Sequence, residues 1–247
     1  MRLNALFISS IVALTAAIVT GCGRGQAGAH GAEQATASPR GSAAAPPAGG
    51  MNNGTAPAAV DGKLLTEPTG VDLFFLQYSV SGLQPPFSDL AKLDTTVRSA
   101  NEFNRDSALA KVEAELRARA EAVRGTKLLQ VNLNDSFGQY DTKYKEYDFQ
   151  MGSGTVIPFY SVFGREVQLA LTNGGLAQAW KLEPSEAEEV LQRTGGDRHV
   201  MLVLKLQVLD APPALNDAPM RIDTRVLEYE IRSAFKNVNL GKVIVGK

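Results

Sequence analysis

The sequence predicts an α+β fold in which helices come first along the chain and pack on a mainly antiparallel sheet. Two patterns of apolar residues support this prediction. Up to about residue 124, apolar side chains recur at the spacing of three and four that is typical of helices. Beyond Gly125 they recur at every second position, which is typical of strands with one buried face.

Residues 1–21 have the three-part organisation of an export signal. A cationic start that includes Arg2 precedes an apolar run from Ala5 to Val19, and small residues follow. The run is shorter than the roughly 20 residues that a helix needs to cross a bilayer, which disfavours a transmembrane anchor. We therefore predict a signal peptide over residues 1–21.

The next feature is the segment Val19-Thr20-Gly21-Cys22, which contains the only cysteine of the chain. It resembles the lipobox of bacterial lipoproteins, in which a small residue precedes a cysteine that receives a diacylglyceryl group. The resemblance implies cleavage between Gly21 and Cys22 and a lipid anchor on Cys22, with acyl chains such as palmitate. It also implies an exported envelope protein, held on the cell membrane or outer membrane and facing the periplasm or cell exterior. A conventional signal that is cut elsewhere and an uncleaved short anchor are the alternatives.

The composition of residues 22–60 predicts a disordered linker. From Gly23 to about Ala59, the residues Ala, Gly, Ser, Pro and Thr dominate, and Met51 is the only large apolar side chain. Such a chain cannot bury enough apolar surface to offset the entropy lost on ordering. As a flexible coil it spans roughly 35 Å, and it connects Cys22 to a single predicted α+β domain, residues 61–247.

The helices of this domain are predicted first. The first segment follows Pro68 and ends near Gly82, and the longest has one apolar face, opposite charges at i,i+4 on its other face, and Gly125 as its terminator. The predicted helices are residues 71–78, 87–99 and 102–124.

The strands follow from alternation. Alternating apolar positions predict strands at residues 129–133, 167–171, 200–208 and 227–231. The sequence Thr172-Asn173-Gly174-Gly175 predicts a hairpin turn that leads from the second of these strands into residues 176–182. A short helix is predicted from Pro184, with a capping box between Ser185 and Glu188, and Gly195-Gly196 ends it.

Composition and motifs limit the possible functions. The formal net charge of -1, without a basic stripe, argues against a nucleic-acid partner. The chain has no nucleophile elbow, phosphate loop or spaced set of metal ligands, so we predict no catalytic residues, no metal and no cofactor. These observations favour a binding or scaffolding module.

Two parts of the domain are candidate sites. Tyr140, Tyr144 and Tyr147 lie among charges of both signs and could form a platform for a glycan or an envelope protein. Over this platform we favour a hairpin whose rings cover one edge of the sheet. His199, two residues after Asp197, supports a second hypothesis, in which an envelope enzyme of the hydrolase type uses His199 or dispersed carboxylates.

Overall fold

The computed structural model describes residues 61–214, 218–236 and 238–246, apart from the side chain of Ser161. The predicted signal peptide, the predicted lipidation and cleavage residues Gly21 and Cys22, and the predicted linker up to residue 60 lie outside the described residues. All described residues belong to one compact unit.

The described residues form an α+β fold, which confirms the predicted class. The helices are α1 (Gly70–Ser81), α2 (Phe87–Lys92), α3 (Thr95–Ser99), α4 (Arg105–Val123), α5 (Gly174–Ala177) and α6 (Pro184–Thr194). The strands are β1 (Lys63–Thr66), β2 (Thr126–Ser136), β3 (Glu146–Asp148), β4 (Val156–Val162), β5 (Arg165–Leu171), β6 (Ala179–Lys181), β7 (His199–Asp210), β8 (Met220–Ser233) and β9 (Asn239–Ile244).

The main sheet has seven strands in the order β1-β2-β7-β8-β5-β4, and β9 pairs with β8. Strand β8 is long enough for its first half to pair with β5 and its second half with β9. The β1–β2 and β5–β8 pairs are parallel and the other pairs are antiparallel. The sheet is therefore mixed, with β1 and β4 at its two edges.

One face of this sheet carries the core. Leu202, Leu204 and Leu206 of β7 are fully buried, whereas Val203 and Lys205 on the other face are only half-buried. Helix α1 packs on the buried face beside β4, β5 and β8. The small β3–β6 sheet covers another part of that face, because the Trp180 ring lies against Gly241 of β9.

Local sequence signals account for the helix ends. The Thr69 hydroxyl accepts from the Asp72 N–H, and the Asp72 carboxylate accepts from the Thr69 N–H, so a capping box starts α1. Gly82 and Gly125 adopt the left-handed conformation after α1 and α4, as predicted. The predicted helix at 87–99 is instead two short helices, because Asp94 ends the first stretch and caps α3. No helix within the described ranges has both the length and the hydrophobicity needed to cross a bilayer.

The predicted hairpin at Asn173-Gly174 is wrong. The Asn173 side chain bonds both backbone groups of Val226, with Nδ2 donating at 3.0 Å and Oδ1 accepting at 2.8 Å. The chain is thereby held against β8, and Gly174 starts α5 instead of a returning strand. Strand β6 then pairs with β3 rather than with β5.

Two smaller expectations are also corrected. The capping box of α6 joins Glu183 and Glu186, because Pro184 occupies the first helical position and moves the cap one residue before it. The second expectation is that Leu227 and Tyr229 share one face of β8, because they alternate in sequence. The pairing with β7 shifts register, however, so that Leu204 faces Tyr229 and Leu206 faces Val226. The extra residue of this bulge means that Val226, and not Leu227, continues the face of Tyr229.

A candidate binding groove beside strand β4

The three candidate tyrosines do not share one exposed surface. Tyr147 is fully buried, its hydroxyl donates to the Ala187 carbonyl at 3.0 Å, and burial raises the pKa of this phenol. Tyr140 is half-buried, with its ring centroid 5.3 Å from that of Tyr147 and its hydroxyl bonded to the Leu182 carbonyl. Only Tyr144 is exposed, at the turn between β3 and the preceding loop.

His199 is exposed at the start of β7, and its ring lies edge-on to the ring of Phe235. The Asp197 carboxylate accepts from the His199 backbone N–H at 3.0 Å, so it caps the strand and is not shown orienting the imidazole. Within the described ranges, no three His, Cys, Asp or Glu side chains converge as a metal site.

An open groove of about 670 Å³ lies between the start of α1, helix α3 and the hairpin of β4 and β5. We call it the α1–β4 groove. Its apolar lining consists of Val71, Leu93, Phe159, Tyr160, Val162 and Phe163. Its polar lining includes Thr69, Asp94, Thr95 and Arg98.

The hairpin beside the groove has a strained backbone. Val162 pairs with Arg165, which leaves Phe163 and Gly164 as a two-residue loop with φ angles of 50° and 77°. Two positive φ angles suit the twist of a tight hairpin, but a phenylalanine rarely adopts one. The Phe163 ring packs against those of Phe74 and Phe75 on α1, so helix contacts hold the strained residue in place.

Strand β4 is irregular where it borders the groove. The pairing with β5 shifts register between Phe159 and Val162, and Tyr160 is 70% exposed. A Cβ atom on Gly70 would lie 2.5 Å from the Val162 side chain, so the start of α1 approaches β4 as closely as a glycine permits. Bulges of this kind redirect side chains and are frequent next to functional sites.

The free edge of β4 is poorly suited to adding another strand. The Leu171 N–H donates to the Thr155 carbonyl, so the hydrogen-bonded pairs with β5 continue at Ile157 and Phe159. Pro158 lies between them, and its nitrogen, which carries no hydrogen, faces the free edge. Strand pairing at this edge is therefore disfavoured.

Arg98 is the cation of the groove. The Asp72 carboxylate is engaged by Thr69, and the Asp94 carboxylate accepts from the Thr96 N–H at 2.7 Å. Among the residues that the structure describes, none forms an ion pair or hydrogen bond with the Arg98 guanidinium. The groove thus combines apolar walls with one exposed cationic group that lacks a described partner.

No protein-family model, curated protein or solved structure matches this chain. Sequence reasoning did not identify the α1–β4 groove, since its lining comes from three separate segments around residues 69–71, 93–98 and 159–164. The one local signal was Phe163-Gly164, an aromatic residue beside a glycine between two apolar stretches.

Proposed function

We propose that this protein is a bacterial envelope lipoprotein, tied to a membrane through Cys22, whose α+β domain is a binding module. The observation that carries the binding role is the α1–β4 groove, which combines an apolar floor, an exposed aromatic rim and an unpaired guanidinium. The anchor rests on the lipobox resemblance at residues 19–22 and on the apolar run before it.

The composition of the groove supports binding. Its volume falls within the range of about 300–1,000 Å³ that is typical of ligand sites, which are mostly apolar with a few oriented polar groups. Tyr160 and Leu93 leave 70% and 52% of their surface exposed at its rim. Tyrosine and arginine are enriched in binding hot spots, and Tyr160 and Arg98 lie together here.

The anchor has a direct physical basis. A single acyl chain holds a protein on a bilayer only marginally, whereas two or more chains hold it stably. A lipidated Cys22 would therefore keep the domain at the envelope without a transmembrane helix. The linker of residues 22–60 would let the domain move by roughly 35 Å from its attachment point.

Metabolic labelling with an alkynyl fatty acid tests the anchor. Cells that produce the full chain should incorporate the label, and Cys22→Ser should abolish it because the thioether cannot form. His30→Ala, in the predicted linker, is the matched control and should keep the label. Equal labelling of the Cys22→Ser variant would refute the anchor.

Photo-crosslinking in cells tests the binding module. A benzophenone amino acid at Tyr160 should give adducts, because this exposed side chain lines the groove. The same group at Leu209, which is 41% exposed on β7, is the control for random encounters. Adducts that form equally at both positions, or at neither, would contradict a specific site in the groove.

A further inference from the structure

We infer that the ligand of the α1–β4 groove is a single-chain anionic amphiphile, a free long-chain carboxylate, whose chain lies on the apolar walls and whose head group pairs with Arg98. This inference rests on the groove being the binding site of the proposed function. It adds the chemical class of the ligand.

The walls of the groove favour an apolar chain. Phe159 and Phe163 are half-buried, Val162 is buried, and Leu93 and Tyr160 extend the apolar surface to the rim. Among the described residues that line the groove, only Asp94 and Arg98 have charged side chains. An alkyl chain can fill such a surface without leaving polar groups unpaired, because it brings none of its own.

The charges favour an anionic head group. At the start of α1, the Asp72 carboxylate and the Thr69 hydroxyl are already engaged, because each accepts a hydrogen bond from the backbone N–H of the other residue. Asp94 is held at the start of α3 by the Thr96 N–H, whereas the Arg98 guanidinium has no described partner. A guanidinium can bind a carboxylate through two parallel hydrogen bonds, which fixes the orientation of the bound molecule.

The edge of β4 disfavours a peptide that adds as a strand. Pro158 removes a donor from the free edge, and the bulge after Phe159 interrupts the regular ladder. An acyl chain needs no backbone hydrogen bonds and is indifferent to both features. Among the described residues that line the groove, Arg98 is the cation, and this suits a ligand with one chain and one negative charge.

Calorimetric titration of residues 22–247, produced without the leader so that Cys22 carries no lipid, tests the inference. This chain contains the whole compact unit to which the described core belongs. The probes are dodecanoate and dodecyltrimethylammonium, each below its critical micelle concentration. We expect dodecanoate to bind roughly tenfold more tightly than the cationic probe, because only the carboxylate pairs with Arg98.

The alkyl chain length of the probe and arginine variants of the protein test whether the ligand binds in the groove. Affinity should rise roughly two- to fourfold per added methylene from octanoate to dodecanoate, since each buries more apolar surface. Arg98→Glu should weaken dodecanoate binding at least tenfold and should favour the cationic probe. Arg225, which is also exposed and lies on the open face of the sheet, provides the matched control, and Arg225→Glu should bind like the parent chain.

Three results would overturn the inference. They are equal affinity for the anionic and cationic probes, no binding of dodecanoate to folded protein, and binding that Arg98→Glu leaves unchanged. Leu93→Glu, at an exposed rim position, is a second test variant in case Arg98→Glu does not fold. It should also reduce dodecanoate binding. Failure here while the Tyr160 crosslinks persist would reject the amphiphile and leave the proposed binding module standing.

Discussion

The ring centroid of Phe163 lies 4.9 Å from that of Phe74, with the ring planes inclined by 63°. This contact joins the β4–β5 hairpin to α1 and thereby forms one wall of the α1–β4 groove. Phe163 keeps a φ angle of 50° to make it. The wall thus depends on a contact between rings that offsets a backbone strain.

Replacing Phe163 should separate the ring contact from the strain. Phe163→Ala loses the ring but keeps the unfavourable φ angle, so we expect a loss of about 2 kcal/mol in the free energy of unfolding. Phe163→Gly should be less destabilising by about 1 kcal/mol, because glycine adopts a positive φ without strain.

Urea denaturation monitored by the fluorescence of Trp180, the single and buried tryptophan, measures both values. The matched controls are Tyr160→Ala and Tyr160→Gly, because the φ angle of Tyr160 is not positive. There the order should reverse, with glycine more destabilising than alanine. If the alanine and glycine variants had the same order of stability at both positions, the result would contradict the strain at Phe163.

Gly174 should not tolerate a side chain. A Cβ atom there would lie 2.1 Å from the Gly152 carbonyl oxygen, so the backbone would have to move. We expect Gly174→Ala to lower the free energy of unfolding by about 2–3 kcal/mol. At Gly138 the nearest atom is 3.6 Å away, and Gly138→Ala should stay within about 0.5 kcal/mol of the parent in the same denaturation experiment.

Asp135 should stabilise the loop before β4. Its carboxylate accepts from the N–H groups of Ser136, Gln150 and Met151 at 2.6, 3.1 and 3.1 Å. Asp135→Ala leaves these donors unpaired and should cost about 2 kcal/mol, and Asp135→Asn should cost less because one acceptor oxygen remains. The exposed Asp148→Ala is the control, and an equal loss there would argue against the role of Asp135.

Tyr229 should make the fold sensitive to alkali. Its hydroxyl is buried and donates to the Ala177 carbonyl at 2.8 Å, and burial raises its pKa far above the ordinary value. Below about pH 10 the phenol is neutral in both states, so its contribution to stability is complete. Above that pH the unfolded chain ionises while the folded chain does not, and stability falls as pH rises towards the folded-state pKa.

Tyr229→Phe removes this titration. Between pH 10.5 and 12, the free energy of unfolding should therefore fall less steeply for the variant than for the parent protein. The two slopes should differ by about 1.4 kcal/mol per pH unit. At pH 7 the variant should be less stable by about 1 kcal/mol, because the Ala177 carbonyl loses its donor. Parallel pH profiles for the two proteins would contradict the assignment.

Elements specified by nearby residues were predictable from sequence. The two longest helices of the described residues, α1 and α4, follow from helical spacing and from the glycines at positions 82 and 125. Strands β2, β5 and β7 follow from alternation, because one face of each is buried. In each case the residues that determine the element lie within it or next to it.

Elements that depend on distant contacts were not predictable in this way. The Asn173-Gly174 pair has the local signal of a hairpin, but the bonds of Asn173 to Val226 override it. Tyr147 carries a polar group and was a candidate for an exposed platform, yet the hydroxyl finds the Ala187 carbonyl inside the core. The groove likewise requires three segments that only the folded chain brings together.

The lipid anchor on Cys22 is tested most directly by intact-mass measurement of the protein purified from cells, beside a Cys22→Ser variant. The account predicts a chain that begins at Cys22 and carries the added mass of a diacylglyceryl group, with a further acyl chain where the host adds one. The Cys22→Ser variant should carry no lipid mass. An unacylated mature chain, or one that retains residues 1–21, would contradict the account.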